Sequence, residues 1–121
     1  MLTIAVGDIH GMAKKLRLLL DRIDDWRKLN SGGEPHQFVF LGDYIDRGPN
    51  SREVLQIVQD LQRDGAVCLR GNHEELMLGA TKSNLGLANF LANGGDATIA
   101  SLGTSAAFRC PRMDGQASNE L

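Results

Sequence analysis

Three short, largely apolar runs, LTIAV at 2–6, QFVFL at 37–41 and AVCLR at 66–70, each break off at a glycine followed by polar groups. The runs are continuous rather than alternating, which predicts strands buried on both faces. Between them, Leu16, Leu19, Leu20 and Ile23 follow the spacing of an amphipathic helix, and Val54, Ile57, Val58 and Leu61 repeat it. Asn50, after Pro49, reads as the N-cap of the second helix, with Glu53 in the capping-box position. The order β-α-β-α-β gives parallel strands joined by right-handed crossovers, hence an α/β fold. Ligands of such sheets bind beyond the carboxyl ends of the strands. Here those ends read GDIHG (7–11), GDYIDRG (42–48) and GNHE (71–74), so all three deliver polar groups to one edge.

Downstream, HEELMLGA (73–80) predicts a short helix, and NLGLANFLANGG (84–95) a second one capped by Asn84 and stopped by Gly94 or Gly95. DATIASLG (96–103) adds a further turn or two, and 104–121 shows neither helical nor strand period, which predicts a loosely ordered tail.

Composition narrows the partners. Hydrophobic residues at 42% and charged residues at 23% exclude disorder over most of the length. A formal charge of -2, with no long basic run, gives nucleic-acid binding no electrostatic support. Cys68 and Cys110 form no CxxC pattern, and Cys68 reads as a core residue. No apolar run approaches the ~18 residues of a membrane span and no signal-peptide pattern precedes the first strand, so no membrane is expected and a cytoplasmic location is the default.

The chemistry lies in the three strand ends. Asp8 and His10 stand two apart, so in an extended conformation both point to one side and grip one cation. Asp43 from the next strand has two carboxylate oxygens to bridge that ion to a second, and Asn72 offers a carbonyl oxygen. This mixed donor set suits Mn, Fe or Zn better than calcium. Two ions ~3.5–4 Å apart are a known device for phosphate-ester hydrolysis. Arg47 has the planar fork for phosphate oxygens, His73 is placed to protonate a leaving alkoxide, and Asp46 to fix its tautomer. A glycine–aspartate pair after one strand is usually only a turn; three such motifs at one edge outweigh that reading.

In this order and at these separations, GDIHG, GDYIDRG and GNHE resemble the signature of the calcineurin-like metallophosphoesterases, specifically the bacterial serine/threonine phosphoprotein phosphatases. LANGGDATIASLG (91–103) resembles the segment that follows it in bacterial members. The resemblance implies a two-sheet sandwich flanked by helices, of which residues 1–103 supply mainly one sheet. It implies Asp8, His10 and Asp43 on a first metal, with Asp43 and Asn72 as part of a second. His73 is then the acid, Asp46 its partner, and Arg47 with Asn72 the phosphate binders. The metals would be manganese first, iron or zinc otherwise, and the reaction in-line attack by a hydroxide bridging them.

The family completes its second metal with two further histidines, and its phosphate site with another arginine, downstream. This chain has only His10, His36 and His73, and His36 falls at the wrong end of the second strand. The sequence therefore reads as the N-terminal part of a catalytic domain, weakly active alone, whose substrate is a phosphorylated protein or a small phosphoester. The alternatives are a nucleotide hydrolase of the diadenosine tetraphosphatase kind, or a non-catalytic fragment that binds a metal or a phosphate.

Overall fold

The computed structural model describes residues 1–103; the tail expected to be loosely ordered lies outside them. Chain order is β1 (Leu2–Val6), α1 (Ala13–Asn30), β2 (His36–Phe40), α2 (Ser51–Arg63), β3 (Val67–Cys68), α3 (Asn72–Ala80), α4 (Asn84–Phe90) and α5 (Asp96–Leu102). A wide turn, Leu91–Gly95, joins α4 to α5. The three strands form one parallel sheet in the order β1-β2-β3. This is the expected βαβαβ arrangement of an α/β domain.

Register sets the core. Val6 pairs with Phe40 and Phe40 with Cys68, and all three are buried beneath the helices. Around that row pack Tyr44, Ile45, Val54 and Val58, each at most 1% exposed. The neighbouring row, Ala5–Val39–Val67, points to the other face, where Ala5 is exposed and the two valines are half-buried. Burial on both faces is thus corrected. Two successive right-handed crossovers in one direction place α1 and α2 on the same side, where Arg17 and Glu53 link them at 2.9 Å.

Boundaries moved for local reasons. The second strand starts and ends one residue early, and the third shrinks to two residues because only Val67 and Cys68 find partners on β2. Asn50 stands at the head of α2 but its side chain makes no capping bond, and Glu53 turns to Arg17 instead. Ser83 rather than Asn84 caps α4, accepting from the Gly86 N–H at 3.0 Å. Gly94 bends the chain at φ +93° without ending the helical path, which resumes as α5. Along α1, Leu16 is buried and Leu20 and Ile23 are half-buried, whereas Leu19 is exposed. No described helix is long and apolar enough to cross a membrane.

Tyr44 ties β2 to the residue after β3: its hydroxyl donates to the Leu69 carbonyl at 2.6 Å, and burial pushes the phenol far above its usual range. Tyr44→Phe leaves that carbonyl short of a partner, so unfolding in urea is expected to show a loss of about 1–2 kcal/mol. An unchanged midpoint would show that the bond holds nothing.

Candidate metal centre

The loops after β1 and β2 are stitched together by backbone bonds. The N–H groups of Ile9 and His10 both donate to the Asp43 carbonyl at 3.0 Å, Gly11 donates to Tyr44, and Gly48 returns a bond to the His10 carbonyl. The loops reach this fit through left-handed backbone. His10, Asp43, Asp46 and Arg47 have φ of 45°, 55°, 74° and 71°, and no other non-glycine described residue has positive φ. Each costs about 1–2 kcal/mol against ordinary backbone, and such strain gathers where side-chain direction matters. It also corrects the expectation for Asp8 and His10, which meet on one side through a left-handed turn rather than an extended segment.

Ligand atoms of Asp8, His10 and Asp43 all lie within 4.8 Å of one another. Ions held at about 2.1 Å keep their ligands roughly 3–4 Å apart, and His10 Nε2 stands 3.7 Å from Asp8 Oδ2. The His10 Nδ1–H donates to the Ile45 carbonyl at 2.8 Å, which leaves the Nε2 lone pair free and aimed, as metal-bound imidazoles are. The donor set fits one divalent cation. Asn72 is exposed at the first turn of α3, between two residues that touch Asp43. His73 donates its N–H to Asp43 Oδ1 at 2.9 Å, and a Cβ on Gly71 would run into the Asp43 carboxylate. His36 is paired with Leu2 at the opposite end of the sheet, its ring against Phe38.

His73 is nearly buried, its ring edge-to-face with His10 at 4.6 Å between centroids. Its Nδ1–H donates to Asp46 Oδ2 at 2.7 Å, and Nε2 has no partner among the described residues. Asp46 is fully buried and receives a second bond, from the Thr98 hydroxyl to Oδ1 at 2.6 Å. Arg47 is exposed, with no acidic partner among the described residues, and its N–H donates to the Gly94 carbonyl. An imidazole held at Nδ1 beside a metal-grade triad can take up a proton at Nε2 and, as the imidazolium, deliver it to an oxygen leaving that triad.

The sequence reading gave no role to Glu74, Ser51 or Thr98. Glu74 is 1% exposed and accepts three N–H bonds, from Asp43 at 2.7 Å, Gly71 at 2.9 Å and Tyr44 at 3.0 Å. It clips the β2 loop to the head of α3. Burial pushes its carboxyl up, opposed by the bonds from Gly71, Asp43 and Tyr44. A signal for it was present: an acid three residues after a helix-starting glycine occupies the capping-box position. Thr98 had no such signal, since it meets Asp46 across 52 residues.

Comparison with known proteins agrees with this geometry. The family described as calcineurin-like phosphoesterase matches residues 1–113. A symmetrical bis(5'-nucleosyl)-tetraphosphatase of Pseudomonas fluorescens (strain SBW25) is 38% identical over 84 residues, 69% of this chain and 27% of that protein. A Caenorhabditis elegans protein classed by name among the serine/threonine-protein phosphatases is 41% identical over 73 residues, 57% of this chain and 18% of its own length. A zinc-dependent endopolyphosphatase of Saccharomyces cerevisiae is 35% identical over 75 residues, 62% of this chain and 21% of its own. The chain thus spans about a quarter of the length of the curated relatives it matches. No solved structure matches it significantly. With three strand ends converging on a cation-ready triad and a family match over most of its length, the chain belongs to the calcineurin-like phosphoesterases.

Proposed function

We propose that the chain carries the metal-gripping and proton-donating part of a hydrolase for dinucleoside polyphosphates. The observation that carries the reading is the Asp8–His10–Asp43 cluster set against the His73–Asp46 pair at one sheet edge. The substrate class is supported by the relatives named as symmetrical tetraphosphatases, which match over more of this chain than the phosphatase-like relative does. Cleavage of phosphoprotein, the first expectation from sequence, becomes the second reading, favoured by that Caenorhabditis elegans relative.

Asp8, His10 and Asp43 would hold one ion, manganese first, which would supply Lewis-acid charge for a phosphoryl oxygen. Arg47 clamps further phosphate oxygens through its guanidinium fork, and Asn72 is the second group assigned to the phosphate. As the imidazolium, His73 gives its Nε2 proton to the departing oxygen, and Asp46 keeps the other proton on Nδ1, so the ring is left as the Nδ1–H tautomer. Among the described residues a second ion would have only Asp43 and Asn72, because the remaining histidine, His36, lies at the other edge.

Calorimetric titration of the chain with Mn²⁺ is therefore expected to show about one strong site, and two equally tight sites would defeat the one-ion reading. For the substrate, the longest product of the gene, loaded with Mn²⁺, is assayed on a dinucleoside tetraphosphate and on a phosphoserine peptide. A higher kcat/KM on the tetraphosphate is expected. The reverse order moves the assignment to phosphoproteins, and turnover of neither leaves a non-catalytic binding fragment.

A further inference from the structure

We infer that Thr98 is a positioning residue, whose buried hydroxyl fixes Asp46 and, through Asp46, the tautomer of His73. The meaning of this inference rests on the proton-donor reading of His73; its test does not. Asp46, Ser51 and Thr98 are all 0% exposed, so water cannot replace any bond among them. A threonine hydroxyl has one proton. Here it goes to Asp46 Oδ1 at 2.6 Å, so at the 3.1 Å contact with Ser51 the serine must be the donor. The Thr98 oxygen also accepts the Asp46 N–H at 2.8 Å, and Ser51 accepts it at 3.1 Å.

The proton directions therefore run Ser51 to Thr98 to Asp46, and Thr98 grips Asp46 at both its backbone and its carboxylate. That grip opposes relaxation of a residue held at φ 74°. With Oδ1 occupied, Oδ2 is the oxygen left for a donor, and His73 Nδ1–H fills it at 2.7 Å. The proton must then stay on Nδ1, and Nε2 faces the site. The same segment seizes the next residue: the Gly94 carbonyl accepts the Arg47 N–H at 3.1 Å. A Cβ at Gly94, itself at φ +93°, would meet the Arg47 backbone nitrogen at 2.9 Å. The 94–98 stretch thus holds Asp46 and Arg47 from behind.

The test is ¹H–¹⁵N spectroscopy of the histidine rings of the chain at one fixed pH, with His73 assigned by its disappearance in His73→Gln. The wild type is expected to show a single Nδ1–H tautomer and a slowly exchanging ring proton. Thr98→Val is expected to lose that resonance, and Thr98→Ser to keep it. A folded Thr98→Val chain with an unchanged His73 signal overturns the inference, as does its loss in Thr98→Ser, which would assign the effect to the methyl group. Should Thr98→Val not fold, the wild type decides. A slowly exchanging Thr98 hydroxyl proton close to the Asp46 amide supports the inference, and a fast-exchanging one overturns it. A longest gene product inactive on both substrates, with the fixed tautomer still seen in the chain, would defeat the hydrolase reading and leave this one standing.

Discussion

Glu74→Ala is expected to destabilise the chain by about 3–5 kcal/mol, because it strips the partner from one buried and two half-buried N–H groups at once. Each such donor left without a partner costs roughly 1–3 kcal/mol, and neighbours in one network do not add fully. Against a total stability of ~5–15 kcal/mol for a small domain, the change is large. It should also loosen Asp43, whose left-handed backbone is held by the bond to Glu74. Mn²⁺ affinity is therefore expected to fall about 10–100-fold, the usual effect of losing the group that orients a ligand. Glu74→Gln keeps an acceptor for the Asp43 and Gly71 N–H groups but turns an amide NH₂ toward Tyr44, so it should fall between. Urea unfolding and calorimetry measure both effects. A Glu74→Ala chain within about 1 kcal/mol of wild type would show that water or a shifted backbone takes over these bonds.

The contrast between Glu74 and its neighbours shows what the sequence could reveal. Asp8, His10, Asp43, Asn72 and His73 were legible because strand direction alone sends their loops to one edge, and three runs of apolar residues set that direction. His36 was excluded by the same reasoning, and its pairing with Leu2 agrees. Glu74 was visible as a residue but not as a clip, since its three partners come from two loops whose approach depends on glycines that admit backbone contact at Gly42 and Gly71. Thr98 was further from reach: nothing in a helix period tells which hydroxyl will find a carboxylate across the fold.

The errors of fold have a related cause. An apolar run records that a strand is suited to burial, not which layers cover it, so Ala5 was assigned to a core that the described residues do not close over it. Asn84 and Ser83 are both good caps, and only the backbone decides which lies outside the helix. Gly94 looked like a helix stop because positive φ ends most helices. Here it makes a bend whose use becomes apparent only once the Arg47 backbone is seen beside it.

His73→Asn is expected to reduce turnover about 10²–10⁴-fold on a phosphoserine peptide, the range that general-acid catalysis supplies. At ~1.4 kcal/mol per decade this is roughly 3–6 kcal/mol of barrier. The reason is the leaving group. A serine alkoxide departs as a strong base and needs a proton in the transition state, which the imidazolium form of His73 would give from Nε2 while Asp46 holds Nδ1. Asparagine fills similar space but carries no transferable proton. On p-nitrophenyl phosphate the phenolate leaves readily, so the same variant should lose little. A dinucleoside tetraphosphate releases a nucleoside diphosphate, itself a good leaving group, and its loss should sit near that of the nitrophenyl ester. The three ratios separate chemistry from architecture. His73 also packs against His10 and donates its backbone N–H to Asp43, so a collapsed site would slow all three substrates alike. Equal losses would therefore take the acid role from His73 and leave it a structural neighbour of the metal ligands.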